Sequence, residues 1–263
     1  MKLPKIVSFD AFNTIFTPRK PVLQIYAEVA QRHGLKVPQE HLEERFPIVF
    51  KQMQEQYPNY GGHSKMNYVN WWATLISNTY APHDTPKAFV EEVVDTFSTD
   101  DAYGAYADVR QALDQLHRSG EVVMVISSNG DPRVVQVLKA LDLLQYFQKV
   151  YLSYDLGVSK PSIDFFNHVI DDLRGPFTPR EEMLKNAWHV GDELTIDLNA
   201  SVNAGWNGIL VDRDGAFRNL ADKQGNVTEQ EAPVAPTDPE VIKLDDKRTV
   251  ISDFSVLGNA LGL

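Results

Sequence analysis

Short, unbroken apolar runs alternate along most of this chain with stretches in which apolar residues recur every three or four positions. The first run, Ile6, Val7 and Phe9, reads as a buried strand. Val122-Val123-Met124-Val125-Ile126 is almost wholly β-branched and suits a strand buried on both faces. Val150-Tyr151-Leu152, Ala187-Trp188-His189-Val190 and Ile209-Leu210-Val211 repeat the signal. Helical spacing fills the gaps: Val109, Ala112, Leu113 and Leu116 up to Gly120, then Val134, Val135, Leu138 and Leu141. Phe165, Phe166, Val169 and Ile170 mark another helix, and Leu198 and Val202 the next. Val250-Ile251 reads as a last edge strand, and the stretch from Phe254 to Leu261 as a terminal helix. Repeated strand–helix units of this kind predict an α/β fold, a doubly wound, Rossmann-like parallel sheet with helices on both faces.

One interval breaks the alternation. Between residues 18 and 103 the pattern is helical with no convincing strand. Val22, Ile25, Tyr26, Val29 and Ala30 open it, followed by Leu42, Phe46, Val49, Phe50 and Met53. Tyr68, Trp71, Trp72, Leu75 and Ile76 form a third group, and Phe89, Val90, Val93, Val94 and Phe97 a fourth. An all-helical insert directly after the first strand predicts a separate cap over 18–103, with 1–17 and 104–263 as the core. Residues 222–239 are polar, acidic and proline-rich, and read as a mobile loop within the core.

Composition narrows the class. The net charge of −11 argues against a nucleic-acid-binding face, which needs a basic surface. With no cysteine, disulfides, thiolate zinc sites and a cysteine nucleophile are excluded. No apolar run approaches the roughly 20 residues that span a bilayer. The amino terminus runs straight into the first expected strand, leaving no room for a signal peptide. The expectation is a cytoplasmic protein, with the nucleus left open, that acts on a small molecule without nucleic acid or membrane.

Chemistry gathers where the expected strands end. Asp10 follows the first strand, with Thr14 in the turn behind it. Ser128 and Asn129 close the second, Lys160 precedes a helix, and Gly191-Asp192 with Asp197 follow the fourth. An aspartate after a strand can be a metal ligand, a covalent nucleophile or a turn former. Open α/β sheets bring strand carboxyl ends to one crevice. There, two carboxylates from different strands suit a hard divalent cation such as Mg²⁺. A serine hydroxyl, an asparagine amide and a lysine suit phosphoryl oxygens.

At these residues the sequence resembles the haloacid dehalogenase superfamily. Asp10-Ala11-Phe12-Asn13-Thr14 matches its first motif, Ser128 its second, Lys160-Pro161 its third, and Gly191-Asp192 with Asp197 its fourth. The helical insert sits where that superfamily carries its C1 cap. Tyr57-Pro58-Asn59-Tyr60-Gly61 with Trp71-Trp72, Ser128-Asn129 with Asp131 and Arg133, and His189-Val190-Gly191-Asp192 further resemble the group called haloacid dehalogenase-like hydrolase domain-containing protein 3. The resemblance implies Asp10 as nucleophile and Mg²⁺ ligand beside Asp192 and the Phe12 backbone carbonyl. It implies Asp197, or Glu193, behind the metal or bound to it through water. Ser128, Asn129 and Lys160 would hold the transferred group, and Lys160 would also neutralise Asp10.

Position 12 departs from the phosphatase pattern. Family phosphatases carry there a second aspartate that protonates the leaving oxygen and then activates water; Phe12 can do neither. Three readings follow: a Mg²⁺-dependent phosphatase with impaired or unusual acid–base chemistry, a non-catalytic binding protein, or a 2-haloacid dehalogenase. The last meets Gly191-Asp192, the magnesium-binding form of motif four. A monomer or weak homodimer is the expected assembly. Of the remaining candidates, one of Trp71 and Trp72 is expected in the cap core and the other at the cap–core contact. Arg45 and His63 read as solvated, His189 as a hydrogen-bonded core residue, Asp131 as a helix cap and Arg133 as solvated or paired.

Overall fold

A computed structural model describes residues 5–175, 178–217 and 239–263; all but the last residue of the expected loop 222–239 lies outside them. The strands are β1 (Lys5–Phe9), β2 (Phe16–Pro18), β3 (Tyr103–Ala105), β4 (Val122–Ser128), β5 (Lys149–Leu152), β6 (Ala187–Gly191), β7 (Asn207–Val211), β8 (Val241–Lys243) and β9 (Arg248–Ile251). They form a seven-stranded sheet in the order β5-β4-β1-β6-β7-β9-β8 and a two-stranded ribbon of β2 and β3. All pairings in the large sheet are parallel except β8 with β9. The Val250-Ile251 strand is therefore not the edge: β9 pairs with β7 on one side and is covered by β8 on the other.

Strand β1 is central, and its strict alternation splits the core into two layers. Val7 and Phe9 pack with Met124, Ile126, Val190, Ile209 and Leu113 on one face. Ile6 packs with Val125, Tyr151, Phe165, Phe166 and Trp206 on the other. From β1 the chain winds to β4 and β5 on one side, then crosses back to β6 and β7 on the other. The strand order reverses at β1, the point at which such sheets leave a crevice open at their carboxyl ends. Register fixes what meets there: Phe9 lies opposite Ile126 of β4 and Val190 of β6. With strands about 4.8 Å apart, the residues following these three strand ends sit within roughly 10 Å of one another.

The helices α1 (Val22–Arg32), α2 (Gln39–Gln56), α3 (Tyr68–Tyr80) and α4 (Lys87–Thr96) all lie between the two ribbon strands. The ribbon itself gives no signal in the hydrophobic pattern, because three residues are too few to show a period of two. These helices bury their own core, in which Tyr26, Val29, Leu42, Ile76, Tyr80 and Phe89 are closed to solvent. The remaining helices used below are α5 (Val109–Ser119), α6 (Arg133–Ala140), α7 (Ser153–Leu156) and α8 (Ile163–Leu173). Among the described residues no helix is long and apolar enough to cross a membrane.

Candidate active site

Asp10 is the first residue past β1, and its backbone N–H still donates to the Val190 carbonyl of β6 at 2.8 Å. That bond fixes the start of the turn that follows. The Ile15 and Phe16 N–H groups both donate to the Ala11 carbonyl, and the Asn13 N–H donates to the Phe16 carbonyl. Asn13 turns the chain at φ 58°, a left-handed conformation that asparagine tolerates better than most side chains. None of these bonds uses the Phe12 carbonyl. The Phe12 ring is 41% exposed, close to Phe16 and Tyr103 rather than buried in the core.

Lys160 reaches the same place from the loop between α7 and α8. Its ammonium is buried and donates to Asp10 Oδ1 at 2.7 Å and to Asp197 Oδ1 at 2.6 Å. Burial works against its charge, but the two carboxylates outweigh burial and raise its pKa. Asn129 holds this lysine in place. Its side-chain carbonyl accepts from the Lys160 backbone N–H at 2.8 Å and its amide donates to the Lys160 backbone carbonyl at 2.7 Å. The amide thus clamps a peptide unit and keeps one N–H for a further acceptor. Ser128 closes β4 nearly buried, and its hydroxyl has no hydrogen-bond partner among the described residues.

Asp197 sits behind the lysine. The expected regular helix after Gly191 begins instead as a π-helical turn, Leu194–Asn199, in which the Asp197 and Leu198 N–H groups share the Glu193 carbonyl. This turn folds Asp197 back over Gly191, where a side-chain carbon at position 191 would lie 2.2 Å from the Asp197 carboxyl carbon. Only glycine fits. Asp197 Oδ2 accepts from the Glu193 N–H, and Oδ1 accepts from both Lys160 and His189. Asp197 thus takes three donors and is the direct partner of Lys160, whereas Glu193 is exposed at the surface.

His189 is the core histidine that the sequence suggests, with a definite task. It lies in β6 on the same face as Ser8, with Nε2 3.0 Å from Asp197 Oδ1 and Nδ1 3.1 Å from the Ser8 hydroxyl. Burial holds its pKa below the ordinary value, so the ring is neutral. A carboxylate can only accept, so Nε2 carries the proton and Nδ1 accepts from Ser8. Burial opposes the Asp197 charge as well, yet Lys160 and His189 overcome it and hold that carboxyl well below the usual range.

Asp192 completes the floor. Its Oδ1 accepts from the buried Thr14 hydroxyl at 3.0 Å, tying the turn after β1 to the end of β6. Burial, reinforced by repulsion from Asp197, pushes Asp192 up to about 6. Burial likewise pushes Asp10 up to about 7, against the pull of Lys160. Asp10, Asp192 and Asp197 bring three negative charges, and Lys160 returns one positive charge; His189 is neutral. The floor is short of positive charge, and Asp10 and Asp192 are the two carboxylates whose ionisation is penalised. Among the described residues no three of His, Cys, Asp and Glu converge as a ready-made metal cage. Such a donor set fits Mg²⁺, which takes one or two carboxylates and keeps its waters, better than it fits calcium or zinc.

Above the floor lies a cavity of about 410 Å³ between the helical insert and the sheet. Ser128 and Asn129 form its base, and Phe12, Phe46, Phe50, Tyr60, Trp72 and Tyr103 its aromatic wall. The two tryptophans divide as expected. Trp71 is buried, donating to the Tyr57 carbonyl, whereas Trp72 donates from Nε1 to Asp131 Oδ2 at 2.7 Å. Tyr60, at φ 57°, stacks on Trp72 and donates to the Asn129 carbonyl at 3.2 Å.

Asp131 is more than a helix cap. It accepts from the Arg133 N–H and from its guanidinium, and that guanidinium lies 3.9 Å from the Trp72 ring centre. His63 bonds the Asp155 carbonyl near the surface, and Arg45 donates to the Asn78 carbonyl, so neither faces the cavity. Sequence reasoning missed this wall. Its residues recur at helical spacing, which reads equally well as the buried face of a bundle; the available signal was the excess of aromatics over aliphatics at those positions.

A family model for haloacid dehalogenase-like hydrolases matches residues 4–205. The chain is 34% identical over 279 residues to the Saccharomyces cerevisiae protein YMR130W, covering 97% of this chain and 92% of the relative. It is 27% identical to the Xenopus laevis haloacid dehalogenase-like hydrolase domain-containing protein 3, covering 79% of this chain and 84% of that one. Among solved structures, the defluorinating L-2-haloacid dehalogenase Rha0230 matches with a TM-score of 0.68 at 15% identity, over 99% of this chain and 96% of its own. The magnesium-bound HAD-hydrolase YfnB from Bacillus subtilis matches with a TM-score of 0.61 at 15% identity, over the full length of both chains. At that identity the two structures speak for the fold alone. The four motifs in order, the helical insert and a family match over residues 4–205 agree: this protein belongs to the haloacid dehalogenase-like hydrolase family.

Proposed function

We propose that this chain is a Mg²⁺-dependent phosphoric monoester hydrolase, with Asp10 as nucleophile, acting on substrates whose leaving group departs without protonation. The observation that carries the reading is the floor itself: Lys160 holds Asp10 at 2.7 Å beside an unpartnered Ser128 hydroxyl, in a site two positive charges short. Asp10, Asp192 and the Phe12 carbonyl would hold the metal, and Thr14 keeps Asp192 turned toward them. When bound, Mg²⁺ supplies the positive charge that lets both carboxylates stay ionised beside a dianionic phosphate.

The protein's own residues do the rest. Lys160 fixes one Asp10 oxygen and leaves the other free to attack phosphorus, forming an aspartyl-phosphate. Ser128 and the lysine donate to the phosphoryl oxygens. Asp197 and His189 hold the lysine so that its position does not depend on the substrate. Phe12 offers no proton to the leaving oxygen. Help of that kind is typically worth about 10²–10⁴-fold, so esters of good leaving groups and acyl phosphates are favoured over alkyl phosphates.

Phosphate release from acetyl phosphate with Mg²⁺, measured for the wild type and Asp10→Asn, tests this directly. A loss of about 10³-fold or more in the variant is expected. Turnover unchanged by Asp10→Asn removes the nucleophile assignment. Mg²⁺ binding without turnover on any phosphate ester shifts the reading to a non-catalytic binding protein.

A further inference from the structure

The cavity above Ser128 is built for more than access. Its aromatic wall comes from three separate stretches: Phe12 from the turn after β1, Phe46, Phe50, Tyr60 and Trp72 from the helical insert, and Tyr103 from the ribbon. Their rings lie edge-to-face or stacked, with centroid separations of 5.8 Å for Tyr60–Trp72, 5.8 Å for Phe46–Phe50 and 6.2 Å for Phe12–Tyr103. Aromatic rings in such arrangements accept a further planar ring at the same spacing.

Charge restricts the occupant further. Among the described residues lining the cavity, Asp131 and Arg133 are the charged ones, and they neutralise each other at 2.8 Å. A sugar or polyol phosphate would meet polar groups that are largely engaged, Tyr60 on the Asn129 carbonyl, Trp72 on Asp131 and Arg133 on Asp131, and each hydroxyl left unpaired would cost about 1–3 kcal/mol. A second phosphate would find no spare cation. The body above the phosphate is therefore apolar, planar and uncharged.

Phe12 joins these two lines. Its ring walls the cavity, and the same residue withholds the proton that an alkoxide leaving group needs. Resting on the phosphatase reading above, we infer that the natural substrate class is an aryl phosphate, the phosphate monoester of a phenol, its ring between Phe12 and the Tyr60–Trp72 pair.

The chemistry balances without an acid. An Asp10 oxygen forms a bond to phosphorus as the phosphorus–aryl oxygen bond breaks, and the aryloxide leaves with the electron pair. Water then adds at phosphorus and frees Asp10; its protons end on the phosphate and on the aryloxide. A phenol has a pKa of about 10, whereas an alkanol's lies near that of water, about 15.7. A phenolate can leave unaided where an alkoxide cannot.

The test uses the full chain with Mg²⁺. Acetyl phosphate, small and non-aromatic, reports on the floor alone, and its Asp10-dependent turnover is the control for the phosphatase reading. Phenyl phosphate is then compared with cyclohexyl phosphate, of similar size but with an alkanol leaving group. Binding of non-hydrolysable phenylphosphonate is compared with methylphosphonate by quenching of tryptophan fluorescence.

The expected results are a kcat/KM at least about 100-fold higher for the phenyl ester, and phenylphosphonate bound about tenfold or more tightly than methylphosphonate. Phe12→Ala, which keeps the floor, should reduce that binding difference. If acetyl phosphate is hydrolysed through Asp10 but phenylphosphonate binds no more tightly than methylphosphonate, the aryl assignment falls and the phosphatase reading stands. Cleavage of cyclohexyl phosphate as fast as phenyl phosphate likewise overturns the aryl assignment alone. Absence of Asp10-dependent acetyl phosphate turnover overturns both.

Discussion

The floor and the wall of this site meet at Ser128, yet they are made differently. The floor is charged, nearly buried and held by short directional bonds: Lys160 to Asp10 and Asp197, His189 to Asp197, Thr14 to Asp192. Its groups sit in a strand, just past a strand's end, or in a loop bonded to one. The wall is aromatic, contributed mostly by a helical insert, and its one ion pair, Asp131 with Arg133, is already satisfied. A charged floor can serve any phosphate. On the proposed reading the wall selects which phosphate binds, and Phe12 belongs to both, since its backbone stands with the floor and its ring with the wall. A phenylalanine there presents a hydrophobic surface and no proton donor.

The largest effect expected from breaking this division is in the floor. Asp197→Asn removes the charge of one of the two carboxylates on the Lys160 ammonium and puts an amide NH₂ where Oδ2 accepts from the Glu193 N–H or Oδ1 from Lys160 and His189. Activity on acetyl phosphate should fall by about 10²–10³-fold, and denaturant unfolding should show a loss of about 3 kcal/mol, as for other broken buried pairs. Near-normal activity would mean that Asp10 alone suffices to place the lysine.

Phe12→Asp sharpens the comparison from the other side, because it returns an acid to the floor and takes a ring from the wall. Hydrolysis of cyclohexyl phosphate should rise by about 10²-fold, while that of phenyl phosphate gains less or declines. Equal gains on both esters would show that the ring at position 12 does nothing for binding.

Trp72→Phe is gentler. It keeps an aromatic ring but removes the N–H that donates to Asp131, a bond to a charged group worth about 2 kcal/mol. A corresponding loss of stability is expected, with phenylphosphonate binding weakened by about tenfold or less as Arg133 shifts. Unchanged unfolding would argue that Arg133 alone satisfies Asp131.

The smallest effect is in pH. Asp10 and Asp192 titrate in the folded protein at about 7 and about 6, above the ordinary 3.8. Without metal the folded state therefore binds more protons than the unfolded state between these limits, and this contribution to stability declines as pH rises through 6 and 7. His189 acts oppositely, since its depressed pKa costs stability as pH falls below 6.5. The Mg²⁺-induced rise in Tm cancels the His189 contribution. That rise should be a few degrees larger at pH 8 than at pH 5.5; the reverse order would contradict the placement of Mg²⁺ on these carboxylates.

The same division explains what could be read in the sequence. Asp10, Ser128 and Asp192 were legible because a parallel sheet fixes strand ends by local pattern alone: an apolar run stops, and a polar residue follows. The sheet and the helical insert came from hydrophobic period, and Lys160 from its place in the order of motifs. Asp197 was visible as a residue but not as Lys160's partner, because a π-helical turn, which the helical period does not encode, folds it over Gly191. The clamp of Asn129 on Lys160 was not visible, because its bonds run to a backbone 31 residues away. The wall stayed hidden for a different reason. Phe46, Tyr60, Trp72 and Tyr103 meet only when the insert docks on the sheet, through Tyr60 on the Asn129 carbonyl and Trp72 on Asp131. Helical spacing reads the same for a stripe that faces a core and one that faces a cavity, and only the excess of aromatics over aliphatics set this one apart.

The central claim is that Asp10 takes phosphate covalently even though position 12 carries no acid. Mixing the protein with Mg²⁺ and acetyl phosphate, quenching in acid and mapping phosphate by peptide mass spectrometry tests it most directly. The account predicts phosphate on the peptide that contains Asp10 in the wild type and none in Asp10→Asn. An unlabelled wild type that still releases phosphate, or a label that persists in Asp10→Asn, would contradict it.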